Sequence, residues 1–169
     1  MKKLTVILFS ILLLVSAGCA GSKKKEPVPV PPSQPDTSHL TAEDKGLEVS
    51  ISREMRALTG MIASSREGYE VYSIQVAVAN NSKDNVPISP DFVTLKASDR
   101  TEYKYSPDLT ETVTSKAAFK EVTLPPDYRG GGLLIFELKK GSVMENLNYK
   151  DDSGHDMTVK FPSDVKVSI

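Results

Sequence analysis

The chain has little of what most folding and catalytic chemistry uses. It contains one cysteine, no tryptophan and two histidines in 169 residues. A lone cysteine excludes any intrachain disulfide. His155 is the single histidine after residue 46, and no cysteine follows that point, so few groups there can act as base or nucleophile near neutral pH. Charge of one sign is also missing: 21 Lys+Arg oppose 22 Asp+Glu, a net −1. That balance excludes the basic footprint of a nucleic-acid binder. With 39% hydrophobic and 25% charged residues, the chain is neither disordered throughout nor a multi-span membrane protein.

What is present begins at the N-terminus. Lys2 and Lys3 precede an apolar stretch from Leu4 to Val15, and the small residues Ser16-Ala17-Gly18 lead into Cys19. A positive start, an apolar run and a small-residue cleavage site make residues 1–18 an export signal. As a helix, Leu4 to Gly18 rises about 22 Å, short of the roughly 30 Å of a hydrocarbon core. Losing Lys2 and Lys3 with the signal leaves 19 basic against 22 acidic residues, or −3. The stretch Val15-Ser-Ala-Gly-Cys19 resembles the lipobox of bacterial lipoproteins. That resemblance implies diacylglycerol on Cys19, which becomes the mature N-terminus on a bacterial membrane. Ala20 in the next position resembles the pattern sent to the outer membrane in cells that have two. Two or three acyl chains make such attachment stable, where a single chain is marginal.

Residues 19–45 then read as the lipidated cysteine and a disordered linker. Lys23-Lys24-Lys25 stand beside the anchor, and five of the eleven prolines fall between Pro27 and Pro35. Alternating prolines favour polyproline II at about 3.1 Å per residue, so the segment reaches at most roughly 80 Å.

From residue 46 to 169 the signal becomes a period of two. Val49 and Ile51 alternate with polar neighbours, as do Tyr72, Ile74, Val76 and Val78 before the turn at Asn80-Asn81-Ser82. Further strands are predicted over 92–97, 102–105, 119–124, 133–138, 145–150, 157–161 and, in the tail, 165–169. Residues 53–65 read as a strand or irregular edge, because Gly60 interrupts their helix-like spacing. Seven to nine short strands with almost no helix predict an all-β fold, an antiparallel sandwich with Greek-key connections.

Several short motifs carry a family resemblance. Val76-x-Val78-x-Asn80-Asn81, Ser89-Pro90-Asp91-Phe92-x-x-Leu95, Tyr103, Leu124-x-Pro126, and Gly132 leading into Phe136-Glu137-Leu138 are similar to the uncharacterised telokin-like, immunoglobulin-fold domain of bacterial lipoproteins and secreted antigens. The similarity runs from about 47 to 161 and implies an immunoglobulin-like β-sandwich with no established activity or cofactor. Two positions depart from the pattern: Asp127 follows the proline where glycine is usual, and Ser98-Asp-Arg-Thr101 closes its hairpin without one.

Three constellations invite chemistry. Asp151-Asp-Ser-Gly-His-Asp156 gathers carboxylates around His155, yet it lacks the full calcium-loop pattern and has the composition of a tight hairpin turn. Gly130-Gly131-Gly132 lacks the Lys-Ser/Thr of a phosphate cradle and reads as a flexible entry to a strand. No transition-metal spacing is present, so no metal or cofactor is assigned. Tyr103 and Tyr105 share one face of a short strand, and Tyr128 stands in a loop; as rigid amphipathic groups these three are the candidate partner-binding residues.

The expectation is a non-enzymatic interaction module, lipid-anchored through Cys19, whose partner is an envelope protein or cell-wall polymer. The alternative is a small-ligand or divalent-cation binder using the acidic hairpin.

Overall fold

The computed structural model describes residues 39–58, 60–163 and 166–168. The segment read as an export signal, Cys19 and the proline run lie outside the described residues. The chain runs through β1 (His39–Asp44), β2 (Leu47–Ser52), β3 (Glu54–Ala57), β4 (Tyr69–Asn80), β5 (Val86–Ile88), β6 (Val93–Ala97) and β7 (Glu102–Lys104). After α1 (Pro107–Thr114) follow β8 (Val122–Leu124), β9 (Arg129–Lys139), β10 (Met144–Lys150), β11 (Asp156–Lys160) and β12 (Lys166–Ser168). No helix among the described residues is long and apolar enough to cross a membrane.

The period-two segments became strands for the reason their pattern implies. In β2, Leu47, Val49 and Ile51 are fully buried, and in β4 so are Val76 and Val78, while Gln75 between the inward residues is exposed. β4 is the spine of one sheet. One of its edges pairs with β2 and β3, which continue outward to β1 and β12, and the other pairs with β9 from Tyr69↔Lys139 to Ala79↔Arg129. The second sheet has the order β11-β10-β6-β7, and β5 with β8 forms a small third one. The larger sheets face each other in a sandwich-like arrangement. Leu134, Phe136 and Leu138 of β9 meet Val93, Leu95, Leu147 and Tyr149 from the other layer in one core. Among the named strands the pairing is antiparallel except between β12 and β3, which run parallel, and an isolated bridge joins Ala118 to Leu133 in parallel as well.

Four features differ from expectation. Residues 39–44, read as linker, form β1 and pair along β2 from His39↔Ser52 to Asp44↔Leu47. Only Leu40 and Ala42 of β1 pack on the core, too weak an alternation to register as a strand. A helix, α1, stands where almost none was expected; Leu109 and Val113, one turn apart, pack against Leu58, Val71 and Ile135 on the outer face of the β4–β9 sheet. Gly130 to Gly132 lie inside β9 rather than before it, opposite Val78, Ala77 and Val76. A Cβ at Gly132 would sit 2.5 Å from the Phe119 nitrogen and 2.6 Å from the Ala117 oxygen, so the glycine is required by close backbone approach. Finally, Asp127 and Arg100 occupy the two positions without the usual glycine, and both adopt positive φ, 63° and 65°. The turn geometry is kept and a side chain is placed in the left-handed region, which Asp tolerates better than Arg.

Candidate functional site

At one end of the sandwich, β7 and the start of α1 face the segment that enters β4, leaving a cleft of about 510 Å³. One wall is Thr101 to Asp108, the other is Ser65, Arg66 and Tyr69, and Glu137 of β9 lies between them. Tyr103 lines this cleft but is largely core, 6% exposed, because its position opposite Leu95 points it between the sheets. Its hydroxyl donates to Asp99 Oδ2 at 2.6 Å and accepts from the Lys139 amide at 3.4 Å. That hydroxyl and the Thr101 amide hold the Asp99 carboxyl below its ordinary range. Tyr105 is half-buried beside Phe136; burial, then the charge of Asp91 and a hydrogen bond to it, raise its hydroxyl. Tyr69 is also partly buried and carries the Arg66 guanidinium over its ring, 5.6 Å from the centroid.

The structure therefore brings Tyr103 and Tyr105 together and adds Tyr69, Arg66 and Lys104. Tyr128, 62% exposed, immediately precedes β9, at the end opposite Lys139. Glu137 of the cleft lies nine residues further along the chain, so at about 3.3 Å per strand residue roughly 30 Å separates Tyr128 from it. Tyr128 cannot join the other tyrosines around one ligand.

Glu137 was carried in the sequence only as part of a strand motif. In the fold its carboxylate is nearly buried and accepts from Ser64 Oγ and the Ser65 amide at 2.6 Å, and from Ser65 Oγ at 3.0 Å. Burial alone would raise this carboxyl, but the three donors and the nearby Arg66 charge outweigh it and hold it below the usual range. The other ionisable groups on the cleft are Glu102, Lys104, Asp108 and the three tyrosines. Nothing local marks Ser64 and Ser65 as its partners, since more than seventy residues separate them in sequence.

The acidic hairpin is a turn, as its composition implies. Gly154 takes φ +87°, its amide donates to the Asp151 carbonyl, and the His155 amide donates to Asp151 Oδ1 at 3.0 Å. Asp151 and His155 also meet through Oδ2 and Nδ1 at 2.7 Å, side by side rather than pointing apart, with both side chains nearly enclosed. Among the described residues, no group of three or more His, Cys, Asp and Glu is arranged to hold a metal ion.

Comparison with solved structures places the fold. The protein ycdA of Bacillus subtilis, named as a lipoprotein, superposes with a TM-score of 0.54 at 18% identity over 75% of this chain. The chain spans 40% of ycdA's length. Also similar are yjhA of Bacillus subtilis, at 14% identity over 72% of this chain and 96% of that one (TM-score 0.49), and the secreted protein MPT63 of Mycobacterium tuberculosis, at 14% over 73% and 92% (TM-score 0.46). At 18% identity, the first of these shows a shared fold alone. No curated protein matches the sequence significantly. The model of a Domain of unknown function (DUF4352) matches residues 39–159, well over half of the chain, and the chain belongs to that family.

Proposed function

We propose that this protein is a lipid-anchored envelope protein whose domain is a non-enzymatic interaction module, engaging an envelope protein or cell-wall partner through the tyrosine cleft. The observation that carries the reading is the cleft itself: Tyr69 and Tyr105, with Arg66 and Lys104 at its rim, offer rigid contact area beside cationic groups. The lipobox-like run ending at Cys19 supports the anchor, and the motifs shared with immunoglobulin-fold domains of lipoproteins support the placing. The name of ycdA, similar in fold, fits the same compartment. The test has two arms. A clickable fatty acid should label the wild-type chain and not Cys19→Ala; labelling of the mutant would sink the anchor. Affinity capture from cross-linked envelopes should lose a specific partner with Arg66→Glu/Lys104→Glu while the melting temperature holds; an unchanged partner set would remove the cleft.

A further inference from the structure

The wall of the cleft formed by residues 60–68 is attached differently from the other. Gly60 and Gly68 bound it, both at positive φ (+89° and +80°), and a Cβ built on either meets nothing within 4 Å. These glycines serve conformation rather than space, which is what a hinge needs. Within the segment, Met61 and Ile62 amides return to the Leu58 carbonyl, and the Arg66 amide donates to Ser64 Oγ. Gly68 accepts from the Lys140 amide at the hinge itself. Between these hinges, and among the described residues, the side-chain hydrogen bonds that tie the segment to the sheets end on Glu137. Beneath the segment lie Leu58, Val71 and Ile135, with Ile62 packed over them.

We infer that Ser64 and Ser65 on Glu137 form a latch, and that residues 60–68 are a glycine-hinged strap whose release opens the tyrosine cleft. This rests on the reading of the cleft as the binding site. The carboxylate is a sound catch because charge-assisted hydrogen bonds are about twice as strong as neutral ones, yet they all converge on one group. Losing it frees the middle of the strap together. The apolar patch favours closure, since opening lifts Ile62 away and leaves Leu58, Val71 and Ile135 covered by Leu109 and Val113 of α1 alone. An occupant that supplies N–H or O–H donors to Glu137 and an apolar side chain to that patch binds the open form better, and so shifts the population toward it.

The absence of cysteine after residue 19 makes the motion measurable. In full-length chains carrying Cys19→Ala, Val71→Cys places one thiol under the strap, and Val78→Cys places one in the main core. With an aromatic disulfide reagent, the Val71→Cys thiol should react about a hundredfold faster than the Val78→Cys thiol, at a rate insensitive to low urea, as a local opening requires. Adding Glu137→Gln should speed the first reaction about tenfold or more, from the loss of hydrogen bonds to a charge. Should that variant fail to fold, Ser64→Ala/Ser65→Ala carries the same expectation. Equal rates and equal urea dependence at the two thiols would overturn the strap; an unchanged rate on losing the carboxylate or its donors would overturn the latch. Capture of the cleft's partner should rise with Ser64→Ala/Ser65→Ala, which frees the strap and leaves the Glu137 carboxylate to the occupant. A partner lost with Arg66→Glu/Lys104→Glu but captured equally with and without the latch would refute its control of the cleft while leaving the cleft as the site.

Discussion

Asn80 offers the sharpest test of how this sandwich is closed. Its side chain is fully buried at the end of β4 and every polar atom on it is used. Nδ2 donates to the Asp84 carbonyl at 2.7 Å and the Leu124 carbonyl at 2.9 Å, while Oδ1 accepts from the Ser82 amide at 3.0 Å and hydroxyl at 2.7 Å. One amide thus shapes the turn after β4 and ties it to β8. In Asn80→Ala four hydrogen bonds are lost, each worth about 0.5–1.5 kcal/mol net, for an expected loss of about 2–6 kcal/mol. At about 4 °C per kcal/mol for a domain of this size, the melting temperature should fall by about 8–24 °C. Asn80→Asp is the discriminating partner. It keeps the acceptor for Ser82 but turns a carboxylate oxygen toward two carbonyl oxygens, so it should be worse than alanine despite its closer shape. Thermal and urea unfolding of Cys19→Ala chains, followed by circular dichroism, would read both. A loss below about 1 kcal/mol for Asn80→Ala, or an Asn80→Asp chain no less stable than Asn80→Ala, would refute the reasoning.

Two further outcomes follow from buried polar groups. The Tyr149 hydroxyl is enclosed without a hydrogen-bond partner among the described residues, and burial together with the Asp151 charge pushes its ionisation far up. Tyr149→Phe should therefore stabilise the fold by about 1 kcal/mol, keeping the edge-on contact with Phe92; a destabilised chain in the same melts would show that the hydroxyl is satisfied. The depressed Glu137 carboxyl stabilises the fold fully above its ordinary value of 4.5 and progressively less as pH falls from there through its folded value. Melting temperature measured from pH 7 to pH 3 should show a fall in the lower range that is reduced in Glu137→Gln, and parallel curves for the two chains would contradict it.

Much of the sandwich was legible because β2, β4, β6, β10 and β11 bury chiefly one face, which writes itself into sequence as alternation, whereas β9 is buried on both faces from Leu134 to Leu138 and reads as a nearly continuous apolar run. β5 escaped notice because Pro87 interrupts its three residues. α1 was legible in principle: Ser106, Pro107 and Asp108 are a helix start, and Leu109 and Val113 repeat at four. Three threonines and a valine among its eight residues mask that signal with strand preference. The glycine triplet marked a special backbone but not its cause, since Phe119 and β4 come close only through the folded topology. For the candidate site, the strand spacing placed Tyr103 and Tyr105 near one another, whereas Tyr128 was joined to them only by residue type. Tyr69, Arg66 and Glu137 belong to the cleft through long-range contacts that no local pattern records.

The two walls of the cleft show why its chemistry had to come from the fold. On the β7 side the chain is bound at several independent points. Asp99 takes the Tyr103 hydroxyl, the Thr101 amide and the Ser142 hydroxyl, and Ser98 exchanges bonds with Val143 through its amide and its Oγ. Removing one of these leaves the others, and the Ser106 amide on the Ile135 carbonyl still holds the start of α1 to β9. That redundancy also accounts for Arg100 in the left-handed region: the turn is determined by its neighbours, and the residue that would suit it best is not needed. On the strap side, polar attachment converges on one carboxylate between two glycines. A cleft with one fixed wall and one hinged wall, as proposed above, would keep its register while adjusting its width, and among its described lining residues Glu137 stands where both walls meet.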